Sequence, residues 1–144
     1  MIRKLKENER ELYFELADEF YHSPAVLHPV DRKNYSVTFE ELMRSDIYAE
    51  CFIIEYCGHA AGFALISKTF SQEAGGLVIW IEELYIKEEY RSRGLGHEFF
   101  EFLEKHRPAA RYRLEIEPDN KRARALYERM GYKILDYRQM VKDI

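Results

Sequence analysis

The segment Leu77-Val-Ile-Trp-Ile-Glu-Glu-Leu-Tyr-Ile86, followed by Lys-Glu-Glu-Tyr-Arg91-Ser-Arg93-Gly94-Leu-Gly96, constrains the fold more than any other. Its first part is apolar on both faces until Glu82, the pattern of a strand covered from both sides rather than one facing water. A basic, glycine-containing turn comes next. The period then switches, with Leu95, Phe99, Phe102 and Leu103 on one side of a helix that Pro108 stops. A doubly covered strand running through such a turn into a helix calls for a sheet with layers on both faces.

The rest of the chain can be placed around that unit. Met1 to Lys4 reads as a short opening strand. Asn8 with Glu11 looks like a capping box, ahead of a stripe of Leu12, Leu16 and Phe20 that Ser23-Pro24 ends. Thr38 with Glu41 repeats the signal before a short second helix bearing Phe39, Leu42 and Met43. Tyr48 to Tyr56 and Ala60 to Phe70 read as strands joined by a Cys57-Gly58-His59 hairpin turn. After Pro108 come a strand from Arg111 to Glu117 and a helix opened by Pro118-Asp-Asn120. Gly131 closes that helix, and Tyr132 to Val141 is expected to be extended. The order βααβββαβαβ makes an α+β domain with a central mixed sheet, antiparallel early and crossing over through helices late. At 144 residues with no repeat or linker, a single domain over 1–144 is expected.

Chemistry concentrates in two places. At the 91–97 turn, backbone N–H groups converge on a helix N-terminus, which carries roughly half a positive charge and suits a diphosphate. Gly94 and Gly96 let the backbone approach an anion, while Arg91 and Arg93 add charge. It is not a P-loop, because no Gly-Lys-Ser/Thr follows, and Phe99 stands where a dinucleotide fingerprint needs its third glycine. Taken alone, the glycines are equally compatible with ordinary turn chemistry. The second place is Asn120-Lys-Arg-Ala123-Arg-Ala125-Leu126-Tyr127-Glu-Arg-Met-Gly131-Tyr132. Here Asn120 serves as an N-cap and Tyr127 as a core tyrosine on any bland reading, although Ala123 and Ala125 let something lie close to the helix.

Together the two segments resemble the acetyl-CoA signature of the GNAT superfamily of N-acetyltransferases. Arg91-x-x-Gly94-x-Gly96 after Leu84-Tyr85-Ile86 is similar to its pyrophosphate motif. Asn120 to Tyr132 is similar to its second motif, with Tyr132 in place of the common Phe. The resemblance is specific from about residue 48 onward, while the first 47 residues match only in element order. It implies a GNAT-type fold with helices on both faces, and strands Leu77–Ile86 and Arg111–Glu117 that part to admit the pantetheine arm. Leu84, Tyr85 and Ile86 would then offer backbone to that arm. The amides of Arg91, Ser92, Arg93, Gly94, Leu95, Gly96 and His97 would hold the diphosphate, and Asn120 would contact the arm or the backbone nearby. Acetyl-CoA is the implied cosubstrate, with direct transfer to an amine.

Such a transfer needs a base, because an amine with a pKa near 10 is charged at neutral pH. Glu82 and Glu83 are the candidates. Strict alternation groups Glu82 with Trp80 and Leu84, and Glu83 with Ile81 and Tyr85, unless a bulge reverses them; Glu82 is the favoured base. Tyr127 matches the family's general acid, and an N–H freed by a bulge near Leu84–Tyr85 would stabilise the thioester oxygen. The acceptor pocket implied by the family draws on Tyr13, Phe14, Asp18, Tyr21, His22 and Tyr35, with Glu50 and Glu55. Acidic and aromatic groups together favour a small cationic amine. The connection from Tyr21 to Val37 is expected to move when substrate binds.

Rival readings are a protein or peptide N-acetyltransferase, which needs an open groove, and a non-catalytic acyl-CoA-binding module, which has no use for the acid and base. A net charge of −4 disfavours nucleic acid, despite basic patches at 105–113 and 121–129. No apolar run approaches the ~18 residues of a membrane span, and the N-terminus lacks the apolar core of a signal peptide. Cys51 and Cys57 lie in one strand and would sit ~20 Å apart, too far for a disulfide between them; they read as reduced thiols of a cytoplasmic protein. Neither they nor the five histidines have metal-ligand spacing, so no metal is expected. A homodimer fits the resemblance, although no interface signature stands out.

Overall fold

The computed structural model describes residues 1–144. Strands β1 (Ile2–Lys4), β2 (Ala49–Tyr56), β3 (His59–Ser71), β4 (Gly76–Ile86) and β5 (Arg111–Leu114) form one sheet in that order. The first three pairings are antiparallel and β4–β5 is parallel. Helices α1 (Arg10–Tyr21) and α2 (Arg32–Arg44) cover one face, and α3 (Leu95–His106) and α4 (Lys121–Arg129) the other.

Alternation along β2 explains how one strand serves both layers. Cys51 and Ile53 join Leu16, Phe20, Phe39 and Phe63 beneath α1 and α2. Phe52 and Ile54 join Ile66, Ile79, Phe99, Phe100 and Leu103 beneath α3. Each fully buried side chain of this size contributes roughly 1.5–3 kcal/mol. The β2–β3 turn falls at Cys57 and Gly58, both with positive φ, as a two-residue hairpin of this hand requires.

Four expectations about element boundaries are corrected, and a fifth concerns a bulge in β4. A 3-10 turn at Glu7–Glu9 precedes α1, and the capping carboxylate is that of Glu9, which accepts from the Lys6 N–H at 2.8 Å. Helix α2 begins at Arg32 with Asp31 as its cap, so Thr38 lies inside the helix, where its hydroxyl donates to the Asn34 carbonyl. The α1–α2 connection is therefore residues 22–31. Strand β5 ends at Leu114, and residues 115–117 have no strand partner, because β4 has already diverged. The stretch from Tyr132 to Val141 forms no strand. The short β5 offers little edge to pair with, and Ile134, Tyr137, Met140 and Val141 remain exposed.

The sheet detail that creates the site is a bulge in β4. Leu65 pairs with Glu83 and Ile66 with Ile81, which leaves Glu82 as the extra residue. Before the bulge, Ile79 and Ile81 point toward α3; beyond it, Leu84 and Ile86 do. The bulge thus sits at Glu82 rather than Leu84–Tyr85, and it separates Glu83 from the Ile81 face. The β4–β5 pairing ends at Ile81–Leu114, the position where the bulge turns β4. Past that point the edge of β4 that faced β5 is free.

Candidate active site

A cavity of about 610 Å³ opens where the strands part. Leu84, Tyr85 and Ile86 line one wall. Arg91, Ser92, Gly94, Leu95, Gly96 and His97 line a second, and Asn120, Lys121, Arg122, Ala123, Leu126 and Tyr127 a third. Ser23, Pro24 and Ala25, from the α1–α2 connection, line it as well. Pockets of about 300–1,000 Å³ hold small ligands and cofactors.

The turn before α3 has the geometry of an anion cradle. Ser92 (φ 62°) and Gly94 (φ 76°) are both left-handed, and Gly94 is the N-cap. No side chain caps α3, whereas Asp31 caps α2 and Asn120 caps α4. The first N–H groups of α3 therefore keep unmet donors beside the cavity, together with the positive end of a twelve-residue helix. Gly96 is required for packing: a Cβ there would lie 2.8 Å from the Leu126 side chain, so glycine lets α3 and α4 approach at the cavity floor. Gly62 has a similar task behind the wall, since a Cβ there would fall 2.1 Å from the Tyr85 carbonyl oxygen.

The predicted residues do not all meet the cavity in the same way. Arg91 turns its Nε to the Ile86 carbonyl at 2.9 Å and stacks on Tyr85, bracing the end of β4. Arg93 lies over Tyr56 and does not line the cavity. Asn120 lines it while its side chain accepts from the Ala123 N–H at 3.2 Å, so the N-cap role holds. Tyr127 is half-buried against Phe100, with ring centroids 5.7 Å apart, and burial pushes its phenol pKa up, keeping it protonated. The cations on the wall include Lys121, Arg122 and Arg129, whose helix stands out in the sequence for its basic excess. Arg122 reaches the Ser92 hydroxyl at 3.0 Å and ties α4 to the turn. Ser23, Pro24 and Ala25 belong to the connection that the family resemblance places at the pocket, although nothing in their own short motif singles them out.

Glu82 and Glu83 differ sharply. Glu82 is exposed and accepts from the Ser67 hydroxyl. Glu83 is 7% exposed, its Oε1 accepts from the Tyr21 hydroxyl at 2.5 Å, and its Oε2 has no partner. Burial raises the Glu83 pKa to about 7, against the pull of the Tyr21 hydrogen bond and with help from the neighbouring Glu82 charge. Glu83 immediately precedes Leu84 of the cavity wall but faces the α1–α2 side of the sheet.

The remaining acidic and aromatic residues are more occupied than their composition implies. Asp18 is paired with Arg32 at 2.6 Å, and Phe14 lies under both Arg10 and Arg32. Glu55 is bound by Arg3. Glu50 is buried near the C-terminal end of α3, held by Arg107 through two 2.7 Å contacts and by Lys68 at 2.7 Å. That places Glu50 at the other end of α3 from the 91–97 turn. Tyr13, Tyr21 and Tyr35 remain around Glu83, and His22 is exposed on the α1 C-cap.

The Acetyltransferase (GNAT) family model matches residues 10–132. The chain belongs to the GNAT acetyltransferase family. It is thus an acyltransferase of the acetyl-CoA-dependent N-acetyltransferase type, and acetyl-CoA is its cosubstrate. The parted strands, the free β4 edge and the uncapped α3 fit that molecule. Among solved structures, a possible acetyltransferase from Clostridium difficile 630 superposes with a TM-score of 0.79 at 17% identity, over 100% of this chain and 97% of that one. AAC(6')-Iy, in complex with the bisubstrate analogue CoA-S-monomethyl-acetylneamine, gives 0.73 at 17% identity, covering 98% of each chain. A ribosomal-protein-alanine N-acetyltransferase from Brucella melitensis gives 0.71 at 15% identity, over 100% of this chain and 98% of that one. No curated protein sequence matches. No helix of this GNAT protein is long and apolar enough to cross a membrane.

Proposed function

We propose that this GNAT protein acetylates a primary amine of a small cationic molecule, with Glu83 as the proton acceptor and Tyr127 as the proton donor. Acetyl-CoA, bound along Leu84–Ile86 and the 91–97 turn, supplies the acyl group. Glu83 takes a proton from the ammonium so that the nitrogen can form the new C–N bond. A β4 backbone N–H beside the bulge steadies charge on the acyl oxygen as the C–S bond breaks. Tyr127 then gives its proton to the departing sulfur and takes back the second proton that the nitrogen sheds as the amide forms, while Glu83 returns its own to solvent.

The observation that carries this reading is Glu83 itself: a buried carboxylate with one free oxygen and no resident cation, adjoining the parted strands. A base whose pKa lies near 7 matches proton transfer at neutral pH. This replaces Glu82, which solvent and Ser67 already satisfy. The acid and base also argue against a purely acyl-CoA-binding role. Fold likeness extends to acetyltransferases of both aminoglycosides and a ribosomal protein, so it does not separate acceptors. The small-molecule preference rests on Ser23–Ala25, which line the same cavity as Leu84–Ile86 and so take up room that an extended peptide would need. Cys51 and Cys57 as free thiols support a cytoplasmic setting, and we read 1–144 as one domain.

A thiol-release assay, corrected for acetyl-CoA hydrolysis and run with polyamines, aminoglycosides, amino acids and N-terminal peptides, tests the acceptor class. The reading expects the highest kcat/KM among the small polycations. A clear preference for peptides would replace it with the protein-acetylating alternative.

A further inference from the structure

The tyrosine that touches Glu83 has a task that the acid–base assignment does not cover. Tyr21 is the last residue of α1. Its ring stacks on Tyr35 with centroids 6.0 Å apart at 29°, and meets Phe20 edge-on at 5.0 Å. Gripped in this way, the ring has little freedom to turn, and its hydroxyl is aimed at Glu83 Oε1. The titratable groups facing Glu83 are Tyr13 and Tyr21 from α1, Tyr35 from α2, Cys51 from β2 and Glu82 on its own strand. None is a cation. A buried carboxylate in such company protonates unless something donates to it. Tyr21 is the one donor it has.

We propose that Tyr21 is a positioning residue: it binds Oε1, favours the charged form of the Glu83 carboxylate against its burial, and leaves Oε2 as the atom that receives the proton of the acceptor amine. This rests on Glu83 being the base. The two unequal oxygens follow from the structure, since one is engaged and the other is buried without a hydrogen-bond partner. The arrangement also gives the end of α1 a direct bearing on chemistry at the bulge. A movement of residues 22–31, which begin immediately after Tyr21, would reach Glu83 through this single hydrogen bond.

The experiment titrates glutamate carboxyl carbons by 13C NMR in wild type and Tyr21→Phe, with Glu83→Gln identifying the signal. The pH dependence of kcat/KM is then measured with the best amine from the screen. A hydrogen bond donated to a carboxylate favours its charged form, so its loss raises the Glu83 midpoint, by roughly one pH unit or more. Because the base must be ionised to act, the acid limb of kcat/KM moves to higher pH by the same amount, while CoA affinity stays unchanged. In wild type, the Tyr21 ring carbon bearing oxygen follows the Glu83 titration, a readout that does not depend on how the variant folds. An unmoved midpoint, or a Tyr21 signal blind to it, makes Tyr21 a packing residue and overturns the proposal. A midpoint that moves while the acid limb stays put overturns the underlying assignment of Glu83 as base.

Discussion

Glu50 and Glu83 are the two buried carboxylates of this protein, and their surroundings are opposite. Burial opposes charge on both. At Glu50 that cost is overcome by hydrogen bonds from Arg107 and Lys68, and its pKa falls to about 2. At Glu83 burial prevails over one tyrosine hydroxyl, and the pKa rises to about 7. Glu50 has spent its oxygens on the protein, joining β2 and β3 to the end of α3. Glu83 keeps one in reserve. A satisfied buried charge holds elements together, whereas an unsatisfied one is set aside for a ligand or a proton.

The sharpest way to break this contrast is to neutralise each in turn. Glu83→Gln should lower kcat by about 10²–10⁴-fold, the range for losing a general base, with CoA affinity by calorimetry unchanged. Wild-type turnover in that variant would cancel the functional half of the comparison. Glu50→Gln should do the reverse, leaving kcat of the folded enzyme intact while destabilising it. Removing one partner of a buried ion pair costs about 3 kcal/mol at the low end, which suits the partial exposure of Arg107 and Lys68. Thermal melts should show a Tm drop of roughly 10 °C.

The pH dependence of stability sharpens the contrast, because the two signs differ. The folded-state pKa of Glu83 lies above its ordinary value near 4.5, so its burial costs nothing below pH 4.5 and progressively more as pH rises through 7, reaching about 3 kcal/mol. Glu83→Gln should therefore melt higher than wild type at pH 8 and at the same temperature at pH 4.5. The folded-state pKa of Glu50 lies below 4.5, so its contribution is complete above that pH and lost as pH falls toward 2. Melts of the Glu50→Gln variant should converge on wild type there. Smaller effects are expected away from the glutamates. Tyr127→Phe should reduce kcat by about 10–100-fold without changing CoA binding, since water can replace the donor in part. Gly94→Ala, forced into a left-handed conformation, should lose about 1 kcal/mol of stability and weaken CoA binding severalfold.

How much of this is legible in the sequence depends on the range of the interaction. The β2–β3 hairpin, the turn at 91–97 and the N-cap of α4 are local, and each follows from residues within a few positions of one another. The start of α2 was obscured by a competing local signal: Thr38 and Glu41 imitate a cap, while Arg32 to Val37 carry only Tyr35 as a buried residue to betray the earlier turns. The Glu82 bulge depends on how β3 pairs, which β4 cannot reveal alone. Alternation along β4 therefore leaves open which of Glu82 and Glu83 turns inward. Glu50 looked like a substrate carboxylate because its partners, Lys68 and Arg107, are distant in sequence. The apolar residues after Tyr132 read as a strand, yet a strand also needs an edge to pair with.

The central claim is that CoA is held by backbone at the parted strands, on the Glu83 side of the molecule and not the Glu50 side. Amide chemical-shift mapping during a CoA titration tests it most directly. The largest changes should fall on Leu84–Ile86, on the amides from Arg91 to His97 and on Tyr127, with none at Lys68 or Arg107. Saturating CoA that left the 91–97 amides unmoved, or that shifted residues around Glu50 instead, would contradict the account.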